Sequence, residues 1–227
     1  MSAIDDPKTL GRARLSFADQ HDIDEFIAEE MYQRLAAVGL ALPAAGTIAD
    51  VTSCPGAESC KLAVTQSRGV GDLLETSFRS RPDLVAAAPD LQIKISGCPN
   101  GCGLHHRAGM GFQGGMRKVG TQAVPHYFVM VGGVVNEGGA SFARTAAKIP
   151  ARRIPAALER LIGLYQAEHV GGKTATAFFG RIELPRVKQL LADLETMTSE
   201  SAEPQDYVDL AEETEFHPEI QEGRCSA

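Results

Sequence analysis

The sequence predicts an α+β domain in which a mixed β-sheet is flanked by helices. Residues 91–96 alternate apolar and polar side chains and residues 126–135 contain a continuous apolar run, so both are predicted strands. Residues 155–166 and 185–195 both begin with proline and are predicted helices. Because strands and helices do not alternate strictly along the chain, an α+β arrangement is favoured. The 227 residues suffice to bury a full core.

The N-terminal part of the chain contains one predicted strand and one predicted helix. The strand covers residues 13–17. The helix covers residues 20–38 and ends at Gly39, and its apolar positions follow helical spacing: Ile23, Phe26, Ile27, Met31 and Leu35. Residues 40–46 are a predicted linker to the segment that follows.

The next predicted elements surround the first cysteines. A short strand begins at Thr47 and leads into a loop at Cys54. Apolar residues at helical spacing predict a helix over residues 59–78, in which Gly69 and Gly71 weaken the middle. The chain then continues into the central strands of the sheet.

Three strands and two helices complete the predicted domain. The strands lie at residues 91–96, near 108–113 and at 126–135. The helices at 155–166 and 185–195 both begin with proline, which is favoured in the first turn of a helix. The strands form the predicted sheet and the helices cover it.

Four of the five cysteines form two pairs, which predict a metal centre. Cys54 and Cys60 are separated by five residues, and Cys98 and Cys102 by three. Thiolates are soft ligands that select iron–sulfur clusters, zinc or Cu(I). Two close pairs can present four sulfurs around one compact centre, so an iron–sulfur site is predicted.

Three other interpretations of the cysteines remain open. The N-terminus has no signal peptide, which predicts a reducing cytoplasmic location where disulfides are rare. A structural zinc site usually has two C-x2-4-C pairs, whereas the spacings here are five and three residues. Four buried structural thiols would be expected in apolar runs, whereas Cys54 and Cys98 each precede a proline in a loop that contains glycine.

The second cysteine pair follows a predicted strand and lies in a segment rich in glycine. Eight glycines occur from Gly97 to Gly120. Glycine allows unusual backbone dihedral angles and close approach of a ligand to the backbone. A large flat cofactor lying against this loop would require that clearance.

These motifs resemble the signature of the sirohaem-dependent nitrite and sulfite reductases. The matching segments are residues 52–63 and 95–103, followed by 108–114, 127–133 and 147–155. The resemblance implies that Cys54, Cys60, Cys98 and Cys102 bind a 4Fe-4S cluster. It also implies that Cys102 bridges the cluster to the sirohaem iron and is catalytic, in the six-electron reduction of nitrite to ammonia or of sulfite to sulfide.

Other residues near the cysteines are candidates for contact with sirohaem. Asn100 could donate an amide hydrogen to the cofactor, or it could form an Asx turn. Basic side chains could bind the carboxylates of sirohaem or could simply be solvated: Lys61, Arg68, Arg107, Arg117 and Lys118. His105 and His106 follow Cys102 closely and are assigned no catalytic role.

The resemblance covers only the C-terminal half of the long enzymes of this family. It implies a remnant of a ferredoxin-like domain at residues 1–45, a sirohaem and 4Fe-4S reductase domain at 46–198 and an acidic tail at 199–227. A separate N-terminal half, or another copy of the chain, would complete the pocket. Ferredoxin is the expected electron donor, because no flavin or nicotinamide motif is present. The choice between nitrite and sulfite is open, and the alternative function is a non-catalytic module that holds an iron–sulfur cluster or another metal on its four cysteines.

Composition and charge bear on further partners. Trp is absent, aromatic residues make up 6% of the chain, and no basic stripe or long apolar run occurs, so neither nucleic acid nor membrane is a predicted partner. Residues 200–227 contain nine acidic residues and one Arg, a balance of −8, and the other residues carry +1 of the net −7. The acidic tail is therefore expected to act in packing or solubility, and Cys225 is expected to be an exposed thiol.

Overall fold

The computed structural model describes residues 20–38, 45–136, 138–169 and 171–218. It divides into two compact units, Met1–Pro43 and Ala44–Ala227, which are described separately. The described part of the first unit is helix α1, Gln20–Ala37, so the predicted helix is confirmed. Phe26, Met31 and other large apolar side chains of α1 are exposed. The predicted strand at 13–17 and most of the linker lie outside the described residues.

The second unit is built on a five-stranded mixed sheet. Its strands are β1 (Thr52–Ser53), β2 (Ile93–Ser96), β3 (Met110–Val119), β4 (Gln122–Val131) and β7 (Arg144–Pro150), in that spatial order. β1, β2 and β3 are parallel, whereas β3, β4 and β7 are antiparallel. A separate hairpin contains β5 (Val134–Asn136) and β6 (Gly139–Ser141). The predicted mixed sheet with flanking helices is therefore confirmed.

Five helices belong to the described part of the second unit. They are α2 (Ser67–Ser80), α3 (Pro82–Ala87), α4 (Ile154–Glu168), α5 (Ala175–Arg181) and α6 (Leu184–Glu195). The two helices predicted from their initial prolines are confirmed as α4 and α6, whereas α3 and α5 were not predicted. No helix among the described residues is long and apolar enough to cross a membrane.

The prediction that α2 begins near Ser59 is wrong by about two turns, because the helix begins at Ser67. The backbone N–H groups of Val64 and Thr65 both donate to the carbonyl oxygen of Gly97, at 2.9 and 3.1 Å. These donors pair with a distant loop and not with a preceding turn of helix. The apolar spacing of residues 59–66 gave no sign of this long-range pairing.

The strands predicted at 91–96, near 108–113 and at 126–135 are present as β2, β3 and β4. β3 is longer than predicted, and β4 begins and ends four residues earlier than predicted. The strand predicted from Thr47 is limited to Thr52–Ser53, because residues 47–50 form a turn in which Asp50 N–H donates to the carbonyl oxygen of Thr47 at 3.0 Å. β3 and β4 form a hairpin that pairs from Met110 with Val131 to Val119 with Gln122. Gly120, in the turn, has a φ of 63°, which glycine adopts without strain. Backbone pairing in the hairpin therefore carries the strands beyond the apolar segments that predicted them.

The core lies on one face of the sheet, between the strands and helices α2 and α4. Alternate residues of neighbouring strands face the same side, and Phe112 pairs with Val129 while Tyr127 pairs with Ile149. The same buried cluster contains Leu74 of α2 and Leu158 of α4. This burial explains the continuous apolar run that predicted β4.

His126 is buried within β4 as a neutral side chain. Its Nδ1 lies 3.0 Å from the carbonyl oxygen of Val124, which can only accept, so Nδ1 carries the proton. Among the described residues, Nε2 has no hydrogen-bond partner. Burial, together with the charges of Arg117, Lys148 and Arg153, lowers the pKa of His126 to about 4. A proton on Nε2 would therefore be destabilising in the folded state.

A His126→Asn variant tests this assignment, because its amide can still donate to Val124 but does not titrate. Unfolded histidine has a pKa of about 6.5. The depressed folded value therefore removes stability as pH falls from about 6.5 towards 4, by up to roughly 3 kcal/mol. We expect the difference in unfolding free energy between wild type and variant, measured in urea, to change by that amount over this range. His217→Asn, at an exposed histidine, is the control and should show no such change.

Candidate metal centre

The two cysteine loops leave the same edge of the sheet. β1 and β2 are adjacent and parallel, with Ser53 paired to Ile95. Cys54 directly follows β1, and Cys98 follows β2 after Gly97. Because parallel strands end at the same edge, this register places the two predicted ligand loops side by side.

The first loop is held by its own backbone and by strand β2. Cys54 N–H donates to the carbonyl oxygen of Ile95 at 3.1 Å, and Cys60 N–H donates to that of Gly56 at 3.0 Å. Gly56 has a φ of 67°, and a Cβ there would lie 2.5 Å from the backbone nitrogen of Ser67. The Cys-Pro-Gly sequence therefore forms a tight turn that fits against the start of α2.

The second loop closes on itself immediately after β2. Gly103 N–H donates to Oγ of Ser96 at 3.0 Å. A Cβ at Gly103 would lie 1.9 Å from the carbonyl oxygen of Ile95, so only glycine fits here. Gly101 has a φ of 71°, which also favours glycine. These contacts hold Cys98 and Cys102 at the two ends of a closed loop.

Gly97 joins the two loops. Its carbonyl oxygen accepts from Val64 and Thr65, and its N–H donates to Sγ of Cys54 at 3.3 Å. A Cβ at Gly97 would lie 2.6 Å from the carbonyl oxygen of Thr65. One peptide segment of the second loop therefore positions both the backbone and a cysteine sulfur of the first.

Ser67 is a second neighbour of Cys54 that the sequence did not reveal. Its hydroxyl donates to the carbonyl oxygen of Cys54 at 2.8 Å, and its Oγ lies 3.2 Å from Sγ. Ser67 is the first residue of α2, so Cys54 lies beside the positive end of this helix. The sulfur of Cys54 therefore has two polar neighbours, the Gly97 N–H and the Ser67 hydroxyl at the start of α2.

The four predicted ligands differ in exposure. Cys54 and Cys98 are buried, Cys60 is half-buried and Cys102 is exposed, and none of the four is in a disulfide. Over the described ranges, no three or more His, Cys, Asp or Glu side chains are grouped closely enough to hold a metal ion. The backbone thus brings the two cysteine loops together, and the exposed Cys102 lies at their outer side.

The predicted basic residues are spread over several environments. Arg68 is exposed and forms an ion pair with Glu58 at 2.7 Å. Arg117 is half-buried and donates to the carbonyl oxygen of Glu195 at 3.0 Å. It lies four residues beyond Gln113, which pairs with the end of β2, and is therefore about 13 Å further along β3. The other three predicted cations are exposed: Lys61, Arg107 and Lys118.

The polar residues of the second loop are also placed. Asn100 is exposed at the tip of the loop. His105 is 3% exposed, and its pKa is lowered by burial and by the charge of His106. His106 is half-buried, and its ring contacts those of His105 and Phe142 edge to face, with centroids 5.4 and 5.2 Å away. The rings of His105 and His106 both lie close to Gly101 of the loop. His106 also contacts Phe142, which directly follows the β5–β6 hairpin.

Two exposed apolar side chains, which the sequence did not indicate, lie next to the segment that follows Cys102. Phe142 is 72% exposed and packs on His106, and Ala143 N–H donates to the carbonyl oxygen of His106 at 2.9 Å. Leu104 is 39% exposed and has a φ of 59°, a strained value for a residue other than glycine. Phe142 reaches this position only through the β5–β6 hairpin, so no local pattern in the sequence indicated it.

A Gly97→Ala variant tests the junction between the loops. The added methyl group would meet the carbonyl oxygen of Thr65, so we expect a loss of about 1–3 kcal/mol in unfolding free energy in urea. Gly163→Ala is the control, because a Cβ at this position in α4 would meet nothing within 4 Å. That change should instead stabilise the protein by up to about 1 kcal/mol. Equal stabilisation by both variants would contradict the assigned role of Gly97.

Known proteins share this fold and parts of this sequence. The chain is 34% identical over 83 residues to a coenzyme F420-dependent sulfite reductase from Methanocaldococcus jannaschii. The aligned segment covers 36% of the chain and 13% of that protein. It is 26% identical over 129 residues to an assimilatory ferredoxin-dependent nitrite reductase from Haloferax mediterranei. Here the aligned segment covers 57% of the chain and 21% of that protein. The chain therefore spans only a small part of the length of these relatives.

Two solved structures extend the comparison to the fold. The NirA protein of Mycobacterium tuberculosis superimposes with a TM-score of 0.62 at 22% identity, over 72% of this chain and 31% of that one. Dissimilatory sulfite reductase I (DsrI) gives a TM-score of 0.54 at 14% identity, over 86% of this chain and 61% of that one. The family model for the nitrite and sulphite reductase 4Fe-4S domain matches residues 44–194. The chain therefore belongs to the nitrite and sulphite reductase 4Fe-4S domain family.

Proposed function

We propose that this chain holds a 4Fe-4S cluster on Cys54, Cys60, Cys98 and Cys102, and that Cys102 joins this cluster to the iron of a sirohaem. The observation that carries the proposal is the Gly97 junction, which joins the two cysteine loops at one edge of the sheet. Membership in the 4Fe-4S domain family supports it. The cluster with sirohaem would supply stepwise electron transfer to a bound oxyanion.

The environment of the first ligand fits a cluster. The sulfur of Cys54 receives a backbone N–H from Gly97 and lies beside the N-terminus of α2. Hydrogen bonds to ligand sulfurs and the degree of solvent exposure are among the factors that set the reduction potential of an iron–sulfur cluster. Cys54 and Cys98, both buried, would exclude water from the inner side of the centre.

The surface around Cys102 fits a large flat cofactor. The exposed thiol lies two residues before Leu104, which has a strained φ and an exposed apolar side chain. Phe142, which packs on His106, provides a second exposed apolar side chain near this segment. Arg107 and Lys61 reach the surface and are available to carboxylates, whereas Arg68 and Arg117 already have the partners described above. Asn100, at the tip of the loop, remains a proposed polar contact.

The proposed reaction is the reduction of sulfite or nitrite, the substrates named in the two relatives. In this proposal the chain positions the cofactor and its ligands, while another polypeptide or a second copy supplies the rest of the anion pocket. The relatives carry different donors in their names, F420 and ferredoxin. We propose ferredoxin as the donor. The alternative is a non-catalytic module that holds an iron–sulfur cluster or another metal on its four cysteines, and the small share of each relative that the chain covers is the observation that supports this alternative.

Cysteine-to-serine variants test the centre directly. The chain is produced in a host that makes sirohaem and is purified anaerobically, and its visible spectrum, iron and sulfide are measured. We expect Cys54→Ser, Cys60→Ser and Cys98→Ser to lose most cluster iron and sulfide, and Cys102→Ser to lose the sirohaem bands as well. Cys225→Ser is the control and should match wild type. Zinc in the wild type, or unchanged sirohaem bands in Cys102→Ser, would contradict the proposal.

The need for a partner is tested by turnover. The purified, cofactor-loaded chain is assayed with sulfite and nitrite, with a reduced viologen dye as electron donor, while light scattering reports its oligomeric state. We expect negligible turnover from the monomer, because the chain spans only part of its relatives. Turnover that rises together with a dimer fraction would identify a second copy as the partner. Full turnover by the monomer would show that no partner is needed.

A further inference from the structure

The described part of the acidic tail is packed against the domain. We call residues 203–218 the C-terminal strap. Arg152 donates to the carbonyl oxygens of Gln205 and Val208, at 2.7 and 3.2 Å. Within the strap, Phe216 N–H donates to the carbonyl oxygen of Tyr207 at 2.7 Å, and the Phe216 side chain is buried. The hydrogen bond between Phe216 and Tyr207 therefore closes a loop within the strap. Arg152 anchors the first end of this loop to the domain, and the buried side chain of Phe216 anchors the second.

The strap crosses the start of helix α2 at close range. A Cβ at Gly69 would lie 2.7 Å from Cβ and 2.9 Å from the carbonyl oxygen of Leu210. The residue preceding the helix, Gln66, donates its side-chain amide to Glu212 of the strap. Gly69 weakens the helix intrinsically, but it allows the strap to lie directly on the first turn.

Asp209 makes the central contact of the strap. Its side chain is buried, and Oδ2 accepts from the backbone N–H of Gln66 at 2.8 Å, while Oδ1 accepts from that of Leu210 at 2.8 Å. Gln66 is the N-cap of α2, but its own side chain does not cap the helix. Asp209 therefore supplies, from a distant part of the chain, the carboxylate that favours a helix N-terminus.

Asp209 and Cys54 contact two consecutive residues, Gln66 and Ser67 respectively. Gln66 is followed by Ser67, whose hydroxyl donates to the carbonyl oxygen of Cys54 and lies 3.2 Å from its Sγ. The geometry points to Asp209 as a positioning residue that fixes the start of α2 and thereby holds the thiol of Cys54 in place. This inference rests on the proposed function only where Cys54 acts as a cluster ligand.

The titratable groups that face Asp209 come from three elements. Glu212 lies on the strap, Arg152 lies in the turn after β7, and the buried Tyr127 of β4 feels the charge of Asp209. Burial raises the pKa of Asp209 to about 6, against the hydrogen bonds from Gln66 and Leu210. Because this value is above that of an unfolded aspartate, the stability gained by protonation is lost as pH rises through about 6. Asp209→Asn should remove this contribution.

The accessibility of Cys54 in the metal-free, reduced chain tests the inference. Alkylation by a maleimide is followed at each cysteine by mass spectrometry, and the exposed Cys102 serves as the internal reference. We expect Asp209→Ala to accelerate modification of Cys54 about tenfold, because a charge-assisted hydrogen bond that limits local opening is lost. Asp209→Asn retains the shape and one acceptor, so it should give an intermediate rate. Glu213→Gln, on the exposed side of the strap, removes the same charge and should behave as wild type.

An unchanged Cys54 rate in a folded Asp209→Ala variant would overturn the inference, and so would equal acceleration by Glu213→Gln. If Asp209→Ala does not fold, the Asp209→Asn rate decides in the same way. After reconstitution with iron and sulfide, the Asp209 variants should shift the electron paramagnetic resonance spectrum of the reduced cluster, and Glu213→Gln should not. If the wild type takes up no iron, the proposed function fails, while the alkylation rates still decide the role of Asp209.

Discussion

The candidate centre depends on a single segment of backbone at Gly97. The carbonyl oxygen of this residue accepts from Val64 and Thr65 of the first loop, and its N–H donates to the sulfur of Cys54. A side chain at this point would collide with Thr65, so the contact requires glycine. The same pairing explains why α2 starts only at Ser67, since the preceding residues use their donors across the junction. The conformation of the first cysteine loop, the start of α2 and one hydrogen bond to the Cys54 sulfur thus all depend on Gly97.

The sheet makes that junction possible. Because β1 and β2 are parallel neighbours, the chain leaves both strands at the same edge and in the same direction. An antiparallel pair would have placed the two cysteine loops at opposite ends. The core beneath is provided by β3, β4 and β7 with α2 and α4, so the strands that carry the loops are rigidly supported. The mixed sheet combines a parallel part that carries the ligands with an antiparallel part that provides most of the packing.

Charge is arranged asymmetrically around the centre. Asp209 of the strap places a buried carboxylate at the N-terminus of α2, next to Ser67, which contacts Cys54. On the outer side, the exposed Cys102 is accompanied by apolar Leu104 and Phe142. The inner side is thus ordered by hydrogen bonds that are shielded from water, whereas the outer side offers an apolar surface.

The sequence by itself determined the elements whose cause is local. Apolar periodicity identified α1 and the central strands, initial prolines identified α4 and α6, and cysteine spacing identified the candidate ligands. The tertiary structure decided what depends on distant partners. The start of α2 was misplaced because Val64 and Thr65 pair with Gly97, and the roles of Ser67, Phe142 and Asp209 were invisible because each contacts a residue far away in the chain. Spacing reveals which residues can bind a metal, but only the folded backbone decides which neighbours surround them.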